Sequence, residues 1–155
     1  MGLDQYAGKQ NHTYEYEYDG KKHFVIGVGP FEWRKHSRLQ EFMTRLAMKK
    51  KGKEPTDINK LPDDIKETKK KWELVDGYWY PWDCGEIELT FEDISKLKKA
   101  VESGYKDYYC EMGYLWGQQI QEEQREFYKK RDLEFVDYAL NRIENGEKVY
   151  YRCSF

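Results

Sequence analysis

Tyr14-Glu15-Tyr16-Glu17-Tyr18 constrains the fold of this chain more than any other stretch. Its strict alternation puts three tyrosines on one face and two glutamates on the other, which suits a strand and not a helix. Asp19-Gly20 follows, a dipeptide that accepts the positive φ of a tight hairpin turn. Phe24-Val25-Ile26-Gly27-Val28 is the natural return strand. Residues 14–28 are therefore expected to form an antiparallel hairpin, with residues 3–7 as a short strand before it.

Gly29-Pro30 reads as the end of that pair. From Glu32 to about Lys50 the spacing predicts a helix, with Leu39, Phe42, Met43 and Leu46 on one face. Arg34, Arg38, Arg45 and Lys49, with Glu41 among them, fall on the other. Residues 50–71 are charged, hold two prolines and offer few apolar anchors, so they read as a surface insertion or loop dispensable for folding. Trp72 to Trp82 is aromatic and rich in turn residues. Glu86-Ile87-Glu88-Leu89 alternates like a short strand, and Thr90 with Asp93 resembles a capping box. Ile94, Leu97 and Val101 would line the buried face of that helix, which Gly104 stops. Tyr105–Trp116 reads as strand or loop, and Gln118 to Asn145 as a long helix closed by Gly146. Lys148–Cys153 is a final strand.

The sum is an α+β fold: one domain over residues 1–155, a mixed or antiparallel sheet, and about three helices. A chain of 155 residues buries enough surface for a core without a metal or disulfide staple. Aromatic residues make up 17%, so much of that core must be Tyr, Trp and Phe.

Lys+Arg 27 nearly cancels Asp+Glu 29. No global field then steers the protein to nucleic acid or to an anionic membrane, and electrostatic recognition would need a local patch. No stretch approaches the ~20 apolar residues of a membrane span. The start lacks a basic run before an apolar one, and Tyr6 stands where a myristoylation signal wants Ser or Thr. Cys84, Cys110 and Cys153 are odd in number with no short spacing, which suits reduced thiols in a cytoplasm.

Most sharp chemistry fails on the residues themselves. Gly27-Val28-Gly29-Pro30 lacks the third glycine of a dinucleotide loop, and Pro30 removes an amide that a phosphate would use. His12, His23, His36 and the cysteines never reach zinc-ligand spacing, so no metal or cofactor is expected. Cys84 and Cys110 read as small buried hydrophobes rather than nucleophiles. Paired acids such as Asp63-Asp64 and Glu122-Glu123 are ordinary in so charged a chain.

Two groups survive. Trp33-Arg34-Lys35-His36 would open a helix after Gly29-Pro30, where backbone amides favour an anion and Arg34, Lys35 and His36 would add charged donors. The plainer alternative puts Trp33 in the core and the arginines in ordinary ion pairs. Tyr78-Trp79-Tyr80-Pro81-Trp82 could present Tyr78, Trp79 and Trp82 to a partner, or fill the core beneath the charged loop. Adjacent aromatics on a strand alternate faces, so part of the run should be exposed.

Several of these pieces resemble a family of uncharacterised proteins found mainly in bacteriophages. The resemblance rests on Gly2-Leu3-Asp4-Gln5-Tyr6, on Trp33-Arg34-Lys35-His36 with Leu39-Gln40, on Glu86-Ile87-Glu88-Leu89-Thr90, and on Gly146 with Val149-Tyr150-Tyr151. The chain departs from the family in its lysine-rich 50–71 segment and in Met112-Gly113-Tyr114-Leu115-Trp116-Gly117, where an aromatic Gly-Phe-Phe-Phe-like run is usual. Some members are labelled phosphoglycerate kinase, a label this chain does not support. It is too short for a two-domain kinase and has no phosphate loop ending in Lys and Ser or Thr. The resemblance implies a viral accessory protein acting in a host cytoplasm. Two classes of function stay open: a protein-binding module that modulates a host or viral process, and a small-ligand module or enzyme with an anionic ligand near Arg34, Lys35 and His36.

Overall fold

The computed structural model describes residues 2–69, 77–80, 85–108 and 118–154. Its main sheet has four antiparallel strands in the order β2-β1-β6-β5: β1 Asp4–Tyr18, β2 Lys21–Arg34, β5 Ile87–Leu89 and β6 Val149–Ser154. A second sheet pairs β3 Thr56–Asp57 with β4 Tyr78–Trp79. The helices are α1 Ser37–Lys50, α2 Asp63–Lys69, α3 Phe91–Glu102, α4 Gln118–Glu123 and α5 Arg125–Glu144. The fold is α+β, and α1, α3 and α5 are the three long helices expected.

Register explains which sheet face is buried. Gln5 pairs with Trp33 and with Cys153, Ala7 with Phe31 and Tyr151, Ile87 with Tyr151, and Leu89 with Val149. Paired residues share a face, and this one meets Phe42, Ile94, Leu97, Phe135 and Val136 in a single core. The neighbouring register positions are Asp4 with Arg34, Tyr6 with Glu32 and Arg152, and Glu88 with Tyr150. The sheet is thus polar on one side and apolar on the other, and the apolar side meets the core residues of the helices.

The hairpin turns at Asp19-Gly20, both at positive φ, as the dipeptide predicts. Three differences are instructive. The two strands expected before the turn are one, Asp4–Tyr18, with a register shift between Lys9 and His12. Strand β2 also does not end at Gly29-Pro30, whose peptide is cis; it continues to Arg34 opposite Asp4. As an edge strand, β2 needs no second set of amide donors, so a proline fits within it. Glu32, Trp33 and Arg34 are consequently strand rather than helix, and α1 begins only at Ser37.

Helix α1 is more deeply buried than its apolar stripe suggests. Leu39, Phe42, Met43 and Leu46 are in the core, yet Gln40, Glu41 and Thr44 are buried too. Glu41 is paired at 3.1 Å with Arg45, whose guanidinium lies 4.4 Å from the Tyr80 ring and 4.7 Å from that of Tyr108. Within the charged 50–71 stretch, residues 50–67 lie at the surface, half-buried or exposed, but they are not structureless. They contain β3, a 3-10 turn at Ile58–Lys60 capped by Asp57, and the start of α2.

Among the described residues no helix is long and apolar enough to cross a membrane.

Candidate functional site

Two places in the fold depart from what a plain α+β core requires: an outlying ribbon and a polar cavity. Strand β6 pairs with β1 only over Asp4–Gly8. Beyond Gly8, β1 and β2 run on as a two-stranded arm to the Asp19-Gly20 turn. Direct register pairs set its faces. Tyr14 with Val25, Tyr16 with His23 and Tyr18 with Lys21 make one; Thr13 with Ile26, Glu15 with Phe24 and Glu17 with Lys22 make the other.

Neither face is covered. Phe24 is 64% exposed and Ile26 69%, and Tyr16, Tyr18 and Val25 stand out as well. Within the arm, Tyr16 and His23 stack at 5.3 Å, and Lys22 reaches Glu15 at 3.3 Å. At its base Tyr14 donates to the Val28 carbonyl at 2.6 Å. Burial, then the nearby Glu32 and Tyr6, push its phenol up to about 12, so it stays protonated as a donor.

The second place surrounds His36. The side chains of Trp33–His36 point in different directions. Trp33 is buried in the core against Phe135, with ring centroids 5.5 Å apart. Arg34 points to the opposite, solvated face and pairs with Asp4 at 3.5 Å. Lys35 takes a positive φ of 59° and gives its amide to the Leu3 carbonyl. That kink turns the next side chain, His36, fully inward.

There His36 Nε2 lies 2.9 Å from Asp132 Oδ2, with both side chains essentially out of solvent. Tyr105 donates to the same oxygen at 2.8 Å. Burial first, then the Asp132 charge and hydrogen bond, push the Tyr105 phenol well above its ordinary value and keep it a donor. On the other ring nitrogen, Gln121 Oε1 stands at 3.3 Å while its amide nitrogen donates to the Lys35 carbonyl at 2.7 Å. The Tyr128 ring stacks on the imidazole at 4.1 Å and donates its hydroxyl to the Arg34 carbonyl.

Gln5 grips the His36 backbone at both ends, accepting from its amide at 2.9 Å and donating to its carbonyl at 3.0 Å. The same amide group reaches the Tyr151 hydroxyl, which donates to Gln40, and Gln40 in turn meets Cys153 Sγ at 3.2 Å. Cys153 is buried. A connected polar network therefore threads the core from the sheet to α5, holding His36 in one orientation. Among the described residues it leaves the second oxygen of Asp132, Oδ1, buried without a hydrogen-bond partner.

A cavity of about 210 Å³ opens beside this network. His36, Tyr105, Tyr128 and Asp132 belong to its wall, and charged groups of both signs from α1, α3 and α5 complete it. Of the basic residues expected near the start of α1, only His36 lines this cavity; Arg34 and Lys35 border a shallower depression beside Phe127. Asp132, Tyr105 and Gln121 carry no motif, so nothing local in the chain announces them.

In the aromatic run, Tyr78 is exposed and Trp79 half-buried on β4; Trp82, Cys84 and Cys110 lie outside the described residues. Among the described residues no group of three His, Cys, Asp or Glu side chains gathers as a metal site.

No protein-family model, curated protein or solved structure matches this chain.

Proposed function

We propose that this is an accessory interaction protein that binds a protein partner through the β1–β2 arm. The observation that carries the reading is the exposure of Phe24, Val25 and Ile26, with Tyr16 and Tyr18, on a ribbon outside the core. A two-stranded ribbon is marginal in water by itself, and exposed apolar clusters mark places where another surface docks. Both ribbon edges are unpaired in the described structure beyond Gly8, so an incoming extended segment could also add as a strand.

Charge supports protein over nucleic acid. Between residues 9 and 27 the arm carries Lys9, Lys21 and Lys22 against Glu15, Glu17 and Asp19, three of each sign and no net attraction for phosphate. The resemblance to bacteriophage proteins supports a host or viral macromolecule as the partner, and modulation of a host process or defence as the purpose. Tyr78 and Trp79 would contribute at most a second contact, since Trp79 is half-buried.

Capture of a partner from host lysate tests this with two variants, one on the arm and one on β4. Phe24→Ala with Ile26→Ala should cut capture by ~30-fold or more, as loss of hot-spot contacts worth ~2 kcal/mol or above does. Trp79→Ala should leave most of it. Undiminished capture by a folded arm variant would defeat the proposal.

A further inference from the structure

We propose that the free edge of β2 takes a second copy of this chain, the two β2 strands pairing antiparallel about a two-fold axis at Val25. The inference rests on the reading of the arm as an interaction surface and names the occupant of this one edge. The outer edge of β1 stays open to a different protein.

The backbone sets what the β2 edge offers. Tyr18 and Lys21 are direct partners across the two-residue turn, so they form a hydrogen-bonded pair, and such pairs alternate along a hairpin. Lys21, His23 and Val25 therefore turn their backbone groups to β1, while Lys22, Phe24 and Ile26 turn theirs outward. Among the described residues no strand lies on that side of β2. Pro30 brings no amide, so regular pairing along this edge stops before it. The usable stretch is residues 21–29, and its midpoint is Val25.

Side chains select the same centre. With Val25 on the axis, Phe24 of each copy stands opposite Ile26 of the other, and Val25 meets Val25. These are the exposed large apolar side chains of β2, and each gains an apolar neighbour. On the Val25 face, His23 stands opposite Gly27, which has no side chain to obstruct it. An axis at Phe24 would instead set Lys22 against Ile26, and an axis at Ile26 would set Lys22 against Pro30. The Val25 axis also holds Lys21 and Lys22 of the two copies at opposite ends of the joint, so like charges do not meet.

The β1 edge fails the same test. The register shift between Lys9 and His12 leaves His12–Tyr18 as its regular stretch, with Glu15 at the midpoint. A two-fold axis there would put two carboxylates face to face, and like charges directly opposite are destabilising. The β2 joint is isologous and closes on itself, so its product is a dimer and not a fibre. It turns a ribbon that is marginal in water into a four-stranded sheet.

Sedimentation velocity of the purified full chain, without lysate, tests this. An edge-to-edge joint lies at the weak end of specific interfaces, so we expect a monomer–dimer equilibrium with a Kd of ~1–100 µM. Phe24→Lys and Ile26→Glu each replace an exposed side chain, and each alone should weaken self-association ~10-fold or more. Mixed in equal amounts, the two variants should associate ~10-fold or more tightly than either does alone. In the mixed dimer the introduced ammonium faces the introduced carboxylate, while the second Phe24–Ile26 pair is untouched. A parent chain still monomeric at ~300 µM, above the range expected for such a joint, overturns the proposal. A mixture that associates no better than the separate variants overturns it as well. Both results are read on purified protein, so the arm's capture of a different protein, read from lysate, stands or falls by itself.

Discussion

Gly8 marks the residue at which the sheet gives way to the arm. It pairs with Pro30 and has a φ of 132°, a conformation that residues with a Cβ rarely adopt. A Cβ there would stand 2.0 Å from the Gly29 carbonyl oxygen, closer than any real contact, so backbone would have to move. Gly8→Ala should therefore cost about 1–3 kcal/mol, read as a fall in the denaturation midpoint. A variant as stable as the parent would show that the two strands separate here without penalty. The same residue scale shows where sequence reading stops. His36 could be singled out only together with its basic neighbours Arg34 and Lys35, and Asp132 is 96 positions away and Gln121 is 85. No local spacing links them, and only the fold reveals that His36 faces inward while Arg34 faces out. The arm was half legible. The alternation and the Asp19-Gly20 turn gave the hairpin, while the exposure of both its faces comes only from the fold.

Elements were legible where their signals are local and hidden where they are not. The box at the start of α3 spans four residues: the Thr90 amide donates to the Asp93 carboxylate at 2.9 Å, and the Asp93 amide donates to the Thr90 hydroxyl oxygen at 3.1 Å. Its third partner is distant, Lys50 at the end of α1, with Nζ 2.7 Å from Oδ2. Burial alone would push the Asp93 carboxyl up, but the Lys50 and Thr90 hydrogen bonds and the Lys50 charge outweigh it and hold it below the usual carboxylate range. The sign follows: this stability is present above the unfolded value near ~3.9 and is lost as pH falls through the lower folded value. Asp93→Ala should cost about 1 kcal/mol or somewhat more at neutral pH, and most of the gap to the parent should close in acid. A gap unchanged from neutral to strongly acid solution would mean that the carboxylate's charge contributes nothing. By contrast, the passage of β2 through Pro30 was not legible, because it depends on β2 being an edge strand. That in turn is a property of the whole sheet.

At the scale of the molecule, folding and recognition are separated in space. Among the described residues, the buried apolar side chains of the two long strands are Ala7, Val28 and Trp33, and none lies between residues 9 and 27. Since burial of apolar surface is the main force that holds a fold together, the outer arm should contribute little to it. His12 and Gly27 are direct partners, so Asn-Gly in place of residues 13–26 would join them by a two-residue turn of the favoured kind. The cut removes the Tyr14 hydrogen bond to Val28, a loss of roughly 0.5–1.5 kcal/mol, and little else that is buried. In a domain of this size each kcal/mol moves the melting temperature by about 2–4 °C. The shortened protein should thus melt within ~6 °C of the parent, keep the polar network around His36, and capture no partner. A fall of ~15 °C or more would place the arm inside the cooperative unit. Partner capture at full strength would show instead that recognition lies on another surface.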